Sequence, residues 1–182
     1  VSDLELIITT YFRHDGVKYM QQVTMSILNW LSSDYKCRKS MITTTTTFNA
    51  LAKIMKANPT KKMVLKTACS TLGNVSKEEE IIPILLSKGF TALVIDAMDA
   101  YPDCEELQEN ACNFLMNMGS NGPEATIGIC TGKGVQCLVR AMQAFPATAT
   151  LQQASCRALC SISKGSTPTI AEAHKDMLLA AG

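Results

Sequence analysis

The chain has one tryptophan, two histidines and an aromatic content of 5%, so its core has to be built from aliphatic side chains, ten methionines and eight cysteines. None of the cysteines forms a Cys-x-x-Cys pair, and His14 and His174 lie far apart near the two ends. A zinc site needs Cys or His pairs at short spacing, so no metal is expected. Cys156 and Cys160, at i and i+4, make at most half of such a site and are expected as small buried thiols. No apolar run approaches the roughly 20 residues of a membrane span. The start lacks the basic, apolar and small-residue succession of a signal peptide. With a net charge of +1, bulk electrostatics names neither nucleic acid nor a membrane as partner. Gly119 and Gly122 are followed by no Gly-Lys-Ser/Thr phosphate loop, and no nucleophile stands at a recognisable spacing from a base. The expectation is a non-catalytic cytoplasmic protein, with the nucleus as the other reducing compartment, and no cofactor.

What the sequence does hold is repetition. Hydrophobic residues make up 47% of the 182 and charged residues 18%, enough for an ample globular core. Shifted by 44, the stretch Ala97-Met98-Asp99-Ala100-Tyr101-Pro102 meets Ala141-Met142-Gln143-Ala144-Phe145-Pro146, and Leu107-Gln108-Glu109-Asn110-Ala111-Cys112 meets Leu151-Gln152-Gln153-Ala154-Ser155-Cys156. A shift of 43 in the other direction finds Met55, Pro59, Val64, Ala68, Cys69, Leu72, Asn74 and Val75. A worn copy lies 44 earlier, with Met20, Thr24, Met25, Leu28, Trp30 and Leu31. A fixed period of this length is the mark of a helical array in which each unit buries its apolar face on the next.

Each unit reads as helices. In 105–118, Leu107, Ala111, Cys112, Leu115 and Met118 fall on one stripe, and in 90–98 Phe90, Leu93, Val94, Ala97 and Met98 do the same. The column of Pro59, Pro102 and Pro146 stops the middle helix. A short segment precedes each pair and ends in Lys88-Gly89 or Lys133-Gly134, where the glycine permits a corner that a Cβ would obstruct. The unit is therefore short helix, Gly corner, helix, Pro turn, long helix. Cys69, Cys112 and Cys156, beside Leu72, Leu115 and Leu159, are expected to be buried.

A three-helix period of 43–44 resembles the armadillo repeat over nearly the whole chain. The Leu-x-Asn-apolar wording that closes an armadillo unit stands at Leu72-Gly73-Asn74-Val75 and Leu115-Met116-Asn117-Met118. It degrades at Leu159-Cys160-Ser161-Ile162 and Leu28-Asn29-Trp30-Leu31. The Ala-Met-x-Ala-aromatic-Pro wording is similar to divergent arrays in large multidomain proteins, including leucine-rich-repeat kinases. The resemblance implies an all-α right-handed superhelix, one domain over 1–182 with units 1–33, 34–76, 77–120, 121–164 and a partial 165–182. Both ends fall inside a unit, so an excerpt of a longer array, with adjoining repeats as neighbours, is the expectation.

In armadillo proteins the third helices line a concave groove, and the resemblance carries that role to Trp30, Asn74, Asn117 and Ser161. Residues four and eight earlier share their face, which adds Lys66, Ser70, Glu109, Asn113 and Arg157, with Gln22, Ser26 and Gln153. Any amphipathic helix has a polar face, which is the competing account of these positions. The tryptophan array of importin-alpha-type grooves is absent, and the run of Lys and Arg in catenin-like grooves is reduced to Lys62 and Lys66. Residues 35–77 carry nine Lys or Arg and no acid, whereas 78–124 carry ten acids and only Lys88. That segregation suits either a docking surface or inter-repeat ion pairs, for which the shift of 43 pairs Lys53 with Asp96, Lys56 with Asp99, Lys62 with Glu105 and Lys66 with Glu109. The functional expectation is a module that binds a protein or an extended peptide. The alternative is a spacer or regulatory arm of a larger protein.

Overall fold

The computed structural model describes residues 18–165 except 122 and 132. The expectations that fall on 1–17 and 166–182, His14 and His174 among them, lie outside the described residues. Within them the chain is helical: α1 (Lys18–Ser33), α2 (Tyr35–Ile42), α3 (Thr45–Ala57), α4 (Lys62–Val75), a 3-10 turn (Glu79–Ile81) running into α5 (Ile82–Ser87), α6 (Phe90–Ala100), α7 (Glu105–Gly119), α8 (Pro123–Thr131), α9 (Gly134–Ala144) and α10 (Ala149–Gly165).

Local chemistry sets the breaks. Asp34 caps α2 by accepting from the Cys37 amide at 2.9 Å. Gly89 turns the chain into α6 at a φ of 72°, a left-handed conformation that a side chain would strain. Glu105 and Glu106 sit in the first turn of α7, where the helix dipole favours them. At the Pro turn, Gln108 Nε2 donates to the Met98 and Tyr101 carbonyls, each at 2.9 Å. Gln152 does the same to Met142 and Phe145 at 2.8 and 3.1 Å, so this clamp recurs at the 44-residue spacing.

The long helices form one layer, α1 against α4, α4 against α7 and α7 against α10. The middle helices α3, α6 and α9 form a second layer behind them, and α5 and α8 flank it. Between the layers lies the core. Phe48 on α3 meets Phe90 on α6 edge to face, 6.4 Å between centroids. Leu28, Leu72 and Leu115, one column of the repeat, are all fully buried. Truncating such a leucine costs about 2–5 kcal/mol.

Two expectations are corrected. Cys69 and Cys112 are buried, but Cys156 and Cys160 are exposed and Leu159 is only half-buried. Cys112 lies under α10, accepting from Ser155 Oγ at 3.2 Å, whereas no further long helix stands beside α10 among the described residues. The ion pairs also cross the seams in another register. Lys66 reaches Glu106 rather than Glu109, at 2.8 Å, and Asp99 is held by Lys133 and Arg140 rather than Lys56. Glu105 accepts from the Thr148 hydroxyl rather than from Lys62. Residues of one column share an azimuth and point the same way, so the pairs that meet are offset by about one turn: Arg38 with Glu78, Lys39 with Glu80 and Arg140 with Asp99.

Candidate functional site

The face of the long helices opposite their buried stripe carries the positions singled out from the sequence. Trp30 closes α1 and is 74% exposed, the most exposed large apolar side chain described. Gln22 and Ser26 precede it on the same exposed flank. On α4, Lys66, Ser70 and Asn74 are half-buried, as are Glu109, Asn113 and Asn117 on α7. On α10, Arg157 and Gln153 are exposed and Ser161 is half-buried. Because α1, α4, α7 and α10 are successive neighbours, these residues form one surface.

The closing residues are not free to serve a ligand with both ends of the side chain. Asn74 Nδ2 donates to Ser32 Oγ at 3.2 Å, and Asn117 Nδ2 donates to Ser76 Oγ at 3.0 Å and to the Gly73 carbonyl at 3.4 Å. Ser161 Oγ lies 3.4 Å from Ser120 Oγ. Asn74, Asn117 and Ser161 thus each bond a serine at the end of the preceding long helix. Ser32, Ser76 and Ser120 stand at a strict spacing of 44, a polar column that hydrophobic periodicity passes over and that self-comparison would find. What remains of the asparagines for a partner is the Oδ1 acceptor, which at Asn74 already receives Lys77 Nζ at 3.4 Å.

Charge along the surface alternates. Lys66 lies on α4 and Lys77 just past its end, Glu105, Glu106 and Glu109 mark α7, and Arg157 and Lys164 mark α10. Lys66 is tied to Glu106, so part of this pattern is internal glue. On the far layer, hydrogen bonds from Lys133 and then Arg140 hold the Asp99 carboxyl below the usual range. Burial pushes the Cys69 and Cys112 thiols up to about 12, which leaves them inert at neutral pH.

Comparison with known proteins bears on the whole array. The zer-1 homologs of Pongo abelii, Homo sapiens and Mus musculus are each 30% identical to this chain over 76 residues, 42% of its length. That stretch is 10% of each relative, so the chain covers only a small part of them. No solved structure matches the chain. A family model described as the LRRK2 ARM repeat matches residues 6–177, in line with the period, the Leu-x-Asn signature and the stacked helices. The chain belongs to the LRRK2 ARM repeat family.

Proposed function

We propose that this chain is a non-catalytic, cytoplasmic protein-interaction module that holds an extended peptide or a partner's surface along α1, α4, α7 and α10. It works without cofactor or metal, and neither nucleic acid nor a membrane is its ligand. Its units of 43–44 residues, three helices each, wind into a right-handed superhelix whose concave side is that surface. The observation that carries the reading is Trp30, a large apolar side chain left 74% exposed in the column of Asn74 and Asn117. Burying an aromatic anchor of this kind is a common source of binding energy. Neighbouring helices stand about 10 Å apart, and an extended peptide advances about 3.3 Å per residue, so one peptide residue in three meets each helix. A peptide N–H then donates to Asn117 Oδ1, while Arg157 faces an acidic side chain.

A photo-crosslinking residue at position 30 tests this against the same residue at position 96 on the middle-helix layer. The reading expects partner crosslinks at 30 and not at 96. Equal crosslinking at both, or crosslinks at 96 alone, counts against it. A second reading, a spacer or regulatory arm of a larger protein, is favoured by the exposed outer flank of α10, where Cys156 and Cys160 lie uncovered. In that case charged substitutions at Cys156 and Leu159 disturb the parent protein and Trp30→Ala does not.

A further inference from the structure

Charge on the long-helix surface is partly neutralised between units. Lys66 is tied to Glu106 across the α4–α7 seam at 2.8 Å, and Lys77 Nζ lies 3.4 Å from Asn74 Oδ1. Glu109 and Arg157 are different. Glu109 is half-buried on α7 and Arg157 is exposed on α10, and neither forms an ion pair or hydrogen bond with any described residue, the other included. Asn113, half-buried one turn after Glu109, has a side-chain amide that bonds no described residue either.

The register of the seams explains why these two charges stay apart. Lys66 meets Glu106, which stands three residues before Glu109, its counterpart at the repeat shift of 43. Arg140 likewise meets Asp99, whose counterpart at a shift of 44 is Gln143. By the same offset the residue opposite Glu109 on α10 is Thr150, and the one opposite Arg157 on α7 is Met116. Arg157 repeats Asn113, four residues on from Glu109. With neighbouring helices about 10 Å apart and a rise of about 1.5 Å per residue, the two positions lie about 12 Å from each other.

We propose that the peptide held along this surface carries both signs of charge four residues apart, a lysine or arginine over Glu109 and an aspartate or glutamate over Arg157. The proposal rests on the reading of the long-helix surface as the binding face, and it adds the partner's chemistry. Four residues of extended chain cover about 13 Å, and an even separation turns both side chains to the same side. A wholly basic segment would meet Arg157 and a wholly acidic one would meet Glu109, so the surface rejects both. The Asn113 amide, with a donor and an acceptor, stands beside the backbone that links the two charges.

The probe is acetyl-Gly-Lys-Ser-Gly-Ser-Glu-Gly-amide, titrated into the isotope-labelled 182-residue chain and followed by amide chemical shifts. Shifts at Glu109, Asn113 and Arg157 are expected. Versions with two lysines or two glutamates should bind about tenfold more weakly, since each exposed ion pair contributes modestly. Glu109→Lys should reverse the preference towards the two-glutamate peptide, and Arg157→Glu towards the two-lysine peptide. Lys88→Gln, on the other layer, should change nothing. On the unmodified chain, raising salt from about 50 to about 200 mM should weaken binding, a readout that needs no variant to fold. The proposal is overturned if no shifts occur, if they map to the layer of α3 and α6, or if the charge variants keep the original preference. Equal shifts on the long helices from all three peptides would overturn the charge pattern and leave the surface standing, which crosslinking at position 30 judges by itself.

Discussion

Asn117 donates its side-chain amide to Ser76 Oγ at 3.0 Å, joining the end of α7 to the end of α4. Asn74 makes the same bond to Ser32 one seam earlier. A residue type that the armadillo resemblance assigns to a partner-binding groove thus first serves as a clip between units. Donor and acceptor separate the two duties: the N–H group holds the array, and the carbonyl oxygen is an acceptor that at Asn74 receives Lys77 Nζ. Asn117→Ala should therefore cost about 1 kcal/mol of stability. Asn117→Ser should cost less, because Ser161 already shows a serine reaching Ser120 at 3.4 Å. Denaturant titration followed by circular dichroism checks both, and an unchanged midpoint for the alanine variant would contradict the clip.

Arg38 is a stronger tie. Its Nε donates to Glu78 at 3.0 Å, and its Nη1 donates to the Ser32 and Ser33 carbonyls at 3.1 and 3.0 Å, capping α1. Both side chains of the ion pair are nearly buried, 12% and 11% exposed. Arg38→Ala leaves Glu78 and two helix-end carbonyls short of a donor and should cost about 2–3 kcal/mol.

The same network sets an acid response. Burial alone raises the Glu78 pKa, but hydrogen bonds from Arg38 and Lys39 outweigh it and hold the group below its ordinary 4.5. A depressed carboxylate contributes stability above its unfolded value, and that contribution is lost as pH falls through the folded one. Thermal melts should therefore begin to fall as pH drops below about 4.5. Glu78→Gln should flatten the drop, and an unaltered acid profile in that variant would rule Glu78 out as its source.

The two corner glycines answer to different constraints. A Cβ on Gly134 would stand 2.6 Å from the Ile129 carbonyl oxygen and 3.1 Å from Ile95 Cδ1. A Cβ on Gly89 would meet nothing within 4 Å, and only its φ of 72° resists substitution. Gly134→Ala should thus cost about 2–3 kcal/mol, against about 1–2 kcal/mol for Gly89→Ala. Reversal of that order in melting experiments would mean that the left-handed corner, not crowding, governs the motif.

Core columns were readable from the sequence because burial tolerates few residue types: Leu28, Leu72 and Leu115 repeat one requirement three times. Proline columns were readable for the same reason, since only a missing amide ends the helix there. Ion-pair register was not, because a shift of one period aligns side chains that point in parallel rather than at each other. Lys66 therefore meets Glu106 and Asp99 meets Arg140. The fate of Cys156 depended on what stacks beyond α10, which no column of its own unit encodes. The serine column fell between the two cases, strictly periodic but polar.

Thiol reactivity separates these columns in one experiment. Cys69 and Cys112 are fully buried, and burial pushes their pKa to about 12, so neither accessibility nor thiolate supply favours attack. Cys156 and Cys160 are exposed. Brief iodoacetamide treatment of the native protein should alkylate Cys156 and Cys160 and spare Cys69 and Cys112 until denaturant is added. Peptide mapping by mass spectrometry reads each site, and equal labelling of Cys112 and Cys156 in the native state would refute the assigned helix phase.

Trp30 and Leu28 sit two residues apart on α1, one 74% exposed and the other fully buried, and their substitution should separate binding from folding. Leu28→Ala removes core contacts and should cost about 3 kcal/mol of stability. Trp30→Ala removes little that the isolated chain uses, so its stability should stay within about 0.5 kcal/mol of the parent. As this is the only tryptophan, native emission should be red-shifted, readily quenched by acrylamide and little altered on unfolding. Should the long-helix surface take a partner, losing this anchor should weaken binding by about 2 kcal/mol, or about thirtyfold. A blue-shifted, quencher-resistant emission would put Trp30 inside the fold. An exposed Trp30 whose loss leaves binding unchanged would instead move the partner's footprint away from α1.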